Sequence, residues 1–284
     1  MVSNLQPGQY TIPTGMRTLI MGIVNATPDS FSQDGCWIKG AGRVDAVVKK
    51  VLQQVRDGAD IIDIGGESSR PGSLRLSEKE EIERVIPAIT RAVKKVSVPV
   101  SVDTYKLKVA QMALDAGAVI VNNIQGVRLS KNLLRMISRY QASIVLMHMR
   151  GTPRTMQKKI AYNGDVMAEI IRELGKSVQE CLDAGLTREQ IIVDPGIGFG
   201  KTVENNCEII ARLSELKTLQ CPILIGTSRK SFIGQILGQD EGNRLNGTIA
   251  SVAASIINGA NIVRVHDVKE NKEAAMIIDK ILRA

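Results

Sequence analysis

The chain has 284 residues, 44% of them hydrophobic, a formal charge of +8, four cysteines and two histidines. That length suits one large α/β domain with a substantial core; no apolar run reaches the roughly 18 residues of a membrane span, and residues 1–8 lack a secretory pattern, so a cytoplasmic protein is expected. Cys36, Cys181, Cys207 and Cys221 form no C-x-x-C pair, which argues against a zinc knuckle or a disulfide framework. Only 3% of the residues are aromatic, too few to stack bases, so the positive charge points to an acidic small substrate before nucleic acid.

In chain order, short β-branched runs alternate with amphipathic segments to the end. Residues 1–17 read as an amino-terminal cap, irregular or with a short β element. Strands are expected over 19–24, 60–64, 98–102, 118–121, 143–147, 190–193, 222–225 and 261–265, each a brief apolar run of the kind covered on both faces. Between them the period changes. Val44, Val47, Val48, Val51, Leu52 and Val55 recur at helical spacing, and Gly58 stands where that helix would stop. Further helices are expected over 77–95, 106–116, 132–139, 164–184, 206–216, 245–257 and 269–282, with a short extra one over 230–237. Ser77 with Glu80 and Thr187 with Gln190 match the capping-box spacing, the second opening a single turn. Strand–helix units repeated without a linker predict an α/β fold, a (β/α)8 TIM barrel formed as a single domain over residues 1–284, with a doubly wound sheet as the alternative.

In such a barrel the site is built at the carboxyl ends of the strands. There the sequence places Asn25, Asp63 with Glu67, Asp103, Asn122 with Asn123, His148, Asp194, Ser228 with Arg229 and Lys230, and Arg264 with His266 and Asp267. One such residue is more often a cap or turn former; a rim of them is a site. Ionised carboxylates only accept hydrogen bonds, so several facing one space suit a flat ring edge rich in N–H groups, such as a 2-amino-4-oxo pyrimidine. Asp194, at the head of a glycine-rich run to Lys201, is placed to take the amino and ring N–H as a pair. Asn122 and Lys230 would address a ring nitrogen and the carbonyl, and Phe199 or Met147 would pack on the ring. Arg264 and His266 alternate on the last strand, so both face one space as an anion site. The loops 26–35 and 65–73 read as lids.

The motifs M-G-I-V-N-A-T-P-D-S-F-S from Met21, D-I-G-G-E-S-S-R-P-G from Asp63, S-V-D-T from Ser101, L-M-H-M-R-G from Leu146, D-P-G-I-G-F-G-K from Asp194, G-T-S-R-K-S from Gly226 and R-V-H-D from Arg264 stand in one order along the chain. With them the chain resembles the dihydropteroate synthases, of the pterin-binding (β/α)8 barrel family, over almost its whole length. The resemblance implies condensation of (7,8-dihydropterin-6-yl)methyl diphosphate with 4-aminobenzoate to give 7,8-dihydropteroate and diphosphate. It implies a pterin diphosphate site of Asp63, Ser69, Asp103, Asn122, Met147, Asp194, Phe199, Lys230, Arg264, Val265 and His266. Phe31, Ser69, Arg70, Pro71, Lys230 and Ser231 would frame the aminobenzoate. Asp103, Asp194, Lys230, Arg264 and His266 would be the catalytic residues, and Asn25 the ligand of Mg²⁺, the implied cofactor. A homodimer is implied as well, with neither nucleic acid nor a membrane as partner.

Three positions depart from the family pattern. Ser69 stands where threonine is more usual, Asn123 follows Asn122 where aspartate is more usual, and the first loop is one residue longer, which leaves open whether Asp34 joins the metal shell. Two rivals stay in view: a methyltetrahydrofolate-dependent methyltransferase, which has no need of the Arg264/His266 pair, and a pterin-binding protein without turnover.

Overall fold

Parallel strands with helices between them close on themselves in this chain. The computed structural model describes residues 4–27, 41–67, 75–126, 129–151, 162 and 164–284. A short antiparallel hairpin, β1 (Asn4–Leu5) and β2 (Ile12–Pro13), comes first. The barrel strands follow as β3 (Leu19–Asn25), β4 (Ile61–Gly65), β5 (Val100–Asp103), β6 (Ile120–Asn123), β7 (Ser143–Met147), β8 (Ile191–Asp194), β9 (Leu224–Ile225) and β10 (Ile262–Val265). They are ordered β8-β7-β6-β5-β4-β3-β10-β9, all parallel. A parallel bridge between Val193 and Ile223, with Val193 N–H donating to the Pro222 carbonyl at 3.0 Å, joins the two ends and leaves no open edge. The doubly wound alternative is thereby set aside.

The helices are α1 (Ala41–Arg56), α2 (Glu78–Ala92), α3 (Leu107–Asp115), α4 (Lys131–Tyr140), α5 (Val166–Asp183), α6 (Val203–Ala211), α7 (Ser231–Leu237), α8 (Leu245–Ile257) and α9 (Val268–Ile281). The two-residue period of a strand sends alternate side chains to two different interiors. Outward residues such as Ile20, Val24, Ile62, Ile64, Val102, Val121, Ile144, Leu146, Val193 and Val263 pack with Val47, Val51, Val85, Ile89, Leu174 and Val252 of the helices. Inward residues Leu19, Met21, Ile61, Ile120, Val145, Ile192, Leu224 and Ile262 form a separate apolar floor, and Leu5 of the hairpin belongs to it. The hairpin is tied across the amino-terminal mouth by Gln6 N–H to the Glu189 carbonyl at 2.8 Å and Gly8 N–H to the Gln141 carbonyl at 3.0 Å.

Several strands run further toward their carboxyl ends than hydropathy alone predicts. Asn25 pairs with Gly65, Asp103 with Asn122, Asn123 with Leu146 and Met147 with Asp194, since a ladder is made by backbone groups and is indifferent to side-chain polarity. The helix expected over 206–216 is split. α6 starts earlier, capped by Thr202 and Asn205, and stops before Arg212, whose guanidinium holds Glu208, Glu215 and Asp165. The chain goes on as a 3-10 segment, Leu213–Leu219, burying Leu213, Leu216 and Leu219 at the three-residue spacing that such a helix presents on one side. Ser77 and Glu80 form their capping box, and Thr187 with Gln190 opens only the turn Arg188–Gln190.

Because Leu5 fills the floor from below while the polar rim lies above, Leu5→Ala is expected to cost about 2–5 kcal/mol in urea unfolding, with ligand affinity at the opposite mouth unchanged; an unaltered unfolding midpoint would show that the hairpin is no part of the barrel's cooperative unit.

Candidate active site

Two residues above the floor, the inward column turns polar on strand after strand. Ile61 is followed by Asp63, Ser101 by Asp103, Ile120 by Asn122, Ile192 by Asp194, and Ile262 by Arg264 and then His266, while Val145 is followed by Met147. Asp63 is fully buried. Its Oδ2 accepts from Arg264 Nε at 2.7 Å and from Asn122 Nδ2 at 2.8 Å, and Arg264 Nη2 reaches Asp103 Oδ2 at 2.7 Å. One guanidinium thus bridges two carboxylates, with geometry that its planar fork makes specific. Asp63 Oδ1 is left buried with no hydrogen-bond partner, and Arg264 Nη1 makes no hydrogen bond among the described residues. Burial pushes the Asp103 carboxyl up to about 7, with Asp63 and Glu81 adding to the rise and Arg264 opposing it. Burial works against the Arg264 charge, but Asp63 and Asp103 outweigh it and raise its pKa.

Across the mouth, Asp194 Oδ1 accepts from Gly196 N–H at 2.7 Å, and the Asp194 carbonyl accepts from His148 N–H at 2.9 Å. Gly196 has φ +70°, and a Cβ there would lie 1.9 Å from the His148 carbonyl oxygen, so only glycine lets the chain turn away so closely beneath Asp194. Burial raises the Asp194 pKa, with Lys230 the main opposing influence. Lys230, set at the start of α7, donates to the Ile197 carbonyl and sits 4.5 Å from the Phe199 ring centroid; burial pushes it down to about 8. Phe199 packs with Met147, Met149, Ile124 and Tyr105 in a small apolar cluster of its own, which forms an apolar wall beside Lys230. Beside Arg264, His266 Nδ1 lies 2.9 Å from Ser228 Oγ, which also accepts from the His266 N–H at 3.2 Å.

The structure divides the expected rim. Asp63, Asp103, Asn122, Met147, Asp194, Phe199, Lys230, Arg264 and His266 line the carboxyl-end mouth, with Asn25 at the end of β3. Ser231 is the exposed first residue of α7. Val265 is a correction: it alternates with Arg264, so its buried side chain joins the core between sheet and helices. His148 is another, fully buried, with its ring between Lys201 and α5. Glu67 is engaged by Lys106 Nζ at 2.5 Å and the Tyr105 hydroxyl at 3.1 Å, Asn123 Oδ1 by Gln125 N–H at 2.8 Å, and Arg229 by Asp267 at 2.5 Å. Phe31, Asp34, Ser69, Arg70 and Pro71 lie outside the described residues. Arg264, expected in an anion half apart from the acidic one, is bound directly to the acidic half.

Gln54 and Lys201, both buried, carry no role that the sequence signals. Gln54, on the apolar face of α1, donates to the Ile23 carbonyl at 2.8 Å, a position marked in the sequence only as a glutamine amid valines. Lys201, the last residue of the D-P-G-I-G-F-G-K motif, is 3% exposed, and burial pushes it down to about 7. Among the described residues His148, Glu169 and Glu173 could converge on a metal ion, their ligand atoms within 4.8 Å of one another. Arg150, 3.5 Å from Glu169, already supplies positive charge there, and Lys201 Nζ, 3.1 Å from His148 Nδ1, occupies that ring nitrogen, so the cluster reads as a compensated polar network.

The model of the family described as "Pterin binding enzyme" matches residues 21–266. A dihydropteroate synthase of Clostridium beijerinckii is 45% identical over 277 residues, 97% of this chain and 98% of the relative. Among solved structures, a dihydropteroate synthase from Clostridium difficile, in the presence of pteroic acid, superposes with a TM-score of 0.87 at 44% identity, covering 95% of this chain and 99% of that one. One from Xanthomonas albilineans, with 4-aminobenzoic acid, does so with a TM-score of 0.90 at 35% identity over the whole of both chains. These relatives set aside the methyltransferase and the binder without turnover. By its motifs, its barrel and its likeness to these proteins, the chain belongs to the pterin-binding enzyme family, among the dihydropteroate synthases.

Proposed function

We propose that the chain condenses (7,8-dihydropterin-6-yl)methyl diphosphate with 4-aminobenzoate, releasing diphosphate and 7,8-dihydropteroate, at the mouth bounded by Asp63, Asp103, Asn122, Asp194, Lys230, Arg264 and His266. The observation that carries this reading is the buried Asp63–Arg264–Asp103 bridge facing Asp194 and Lys230 beside an apolar wall. It offers acceptors for the amino and ring N–H groups of a pterin, a flat surface for its ring, and a cation at the edge. Asp194 takes the amino and ring N–H, Asn122 and Lys230 address the remaining polar edge, and Asp103 lies along the ring. Arg264 and His266 stand on the side of the diphosphate.

The arylamine is neutral and attacks with its lone pair, so no general base is needed beforehand. As its nitrogen bonds to the exocyclic methylene, the C–O bond breaks, the electron pair leaves on diphosphate, and the proton lost by the new amine passes to solvent. Arg264 and His266 stabilise charge growing on the leaving group, while Asp103 and Asp194 stabilise positive charge spreading into the pterin. Fixed in advance by their bonds, these groups need little reorganisation during the step.

Asn25 is proposed as the protein ligand of Mg²⁺. It is half-buried at the end of β3, pairs with Gly65 in the ladder, and makes no side-chain hydrogen bond among the described residues. A single neutral oxygen fits Mg²⁺, which usually takes few protein ligands and completes its shell with phosphate and water. Bound there, the ion would offset charge on the diphosphate. Phe31, Ser69, Arg70 and Pro71, with Ser231, are proposed to frame the aminobenzoate.

A homodimer and a cytoplasmic location complete the proposal. α8 and α9 pack side by side, and the outer surface there carries the exposed residues Ile257, Met276, Ile277, Ile281 and Leu282, an apolar set that a partner would cover. No helix among the described residues is long and apolar enough to cross a membrane.

Magnesium-dependent diphosphate release that requires 4-aminobenzoate is the direct test of the reaction, and its absence would overturn the assignment. Arg264→Ala would strand the buried Asp63 charge, at about 3–5 kcal/mol, so Arg264→Lys is the cleaner variant. It keeps a charge but not the fork, and kcat/KM in the same assay is expected to fall on the order of 10- to 100-fold. Asp194→Asn should raise KM for the pterin substrate about 10- to 100-fold with KM for 4-aminobenzoate unchanged in steady-state kinetics. In sedimentation velocity the wild type should run as a dimer, and Ile277→Glu with Ile281→Glu as a monomer.

A further inference from the structure

Behind the apolar wall lies a charged side chain that the proposed reaction does not use. Lys201 Nζ is 3.1 Å from the Phe199 carbonyl, 3.1 Å from His148 Nδ1 and 3.4 Å from the His148 carbonyl. An ammonium has three protons, and it meets three acceptors. These belong to two separate segments: His148 directly follows β7, and Phe199 lies in the glycine-rich loop after β8. The same two segments touch again where His148 N–H donates to the Asp194 carbonyl at 2.9 Å and Gly196 presses against the His148 carbonyl. An ammonium proton given to Nδ1 uses that nitrogen's lone pair, so the proton of the neutral ring sits on Nε2, which lies 3.2 Å from the Glu173 carboxylate of α5 but makes no hydrogen bond to it. Burial keeps the ring neutral by pushing it down to about 2. Lys201 therefore links His148, at the end of β7, to the backbone of Phe199.

We propose that Lys201 is a positioning residue for the pterin half of the reaction: held by His148, its ammonium pins the Asp194–Phe199 loop to the end of β7 and so sets the gap between the Asp194 carboxylate and the Phe199 ring. An apolar side chain of similar length would fill the volume, yet it would leave three buried acceptors unpaired. The loop would then be free to shift, and Asp194 and Phe199 would no longer grip one ring together. The 4-aminobenzoate and diphosphate groups contact neither Lys201 nor His148 in this reading, so the effect falls on one substrate. The identity of that substrate rests on the function proposed above.

The test is steady-state kinetics of the full chain with (7,8-dihydropterin-6-yl)methyl diphosphate and 4-aminobenzoate, alongside thermal unfolding. Lys201→Met is expected to raise KM for the pterin substrate roughly tenfold or more, while KM for 4-aminobenzoate stays within about threefold, a split between the two substrates that general loss of structure does not produce. His148→Asn places an amide oxygen near the Nδ1 position and should keep the pterin KM close to wild type, whereas His148→Leu removes the acceptor and should behave as Lys201→Met. If Lys201→Met does not fold, the His148 pair decides. An unchanged pterin KM in Lys201→Met, equal losses for both substrates, or identical behaviour of His148→Asn and His148→Leu would overturn the proposal. A wild-type chain that releases no diphosphate would overturn the functional reading, and this proposal with it; an active wild type with unresponsive variants sinks only the role of Lys201.

Discussion

The guanidinium of Arg264, set 2.7 Å from the carboxylates of both Asp63 and Asp103, is the interaction on which the mouth of the barrel depends. Asp63 is fully buried, and an ionised carboxylate in that position is tolerable only with a partner of opposite charge and good geometry. The fork supplies both, and it fixes the rotamers of three side chains on β4, β5 and β10. Asn122 extends the network to β6. Polar groups on four strands are thus aimed before any ligand arrives, which is the condition for electrostatic stabilisation without reorganisation.

That network can exist because the barrel separates its interior into layers. The floor of Leu19, Met21, Ile61, Ile120, Val145, Ile192, Leu224 and Ile262 is wholly apolar, with Leu5 below it. Alternate residues of the same strands face the helices and carry the main core. Stability is therefore drawn from below and from outside the site, and the carboxyl-end layer is free to hold charges that contribute little to folding. Outside the mouth, lysines brace the strand ends: Lys106 joins Glu67 at the end of β4 to Glu81 of α2 by ion pairs, and Lys201 joins the end of β7 to the loop after β8 by hydrogen bonds. Long-range ties of this kind let irregular segments keep a defined position on a rigid frame.

From the sequence alone, the order and type of nearly every described element were legible, because strands covered on both faces and helices covered on one leave different hydrophobic periods. The inward column was legible too: once a strand is recognised, a residue two places beyond a floor position must face the same space, as Asp63, Asn122, Asp194 and Arg264 do. Boundaries were less so. The ladder ran into polar residues, and the helix expected over 206–216 gave way at Arg212 because the apolar spacing tightened from helical to three residues. Val265 and His148, counted with the site by motif and by position, face away from it, since strand alternation decides direction and a motif does not.

What the sequence determined by itself was a parallel barrel with a polar carboxyl-end rim and a set of motifs that named its family. What only the tertiary structure decided was which rim residues meet. Arg264 finds Asp63 across 201 positions of chain and Asp103 across 161, and Lys201 finds His148 across 53. Such pairings follow from closure of the barrel and from the exclusion of water around buried charge, neither of which is written in local spacing. The anion-binding arginine of the sequence became, in three dimensions, the bridge that holds the acidic half in place.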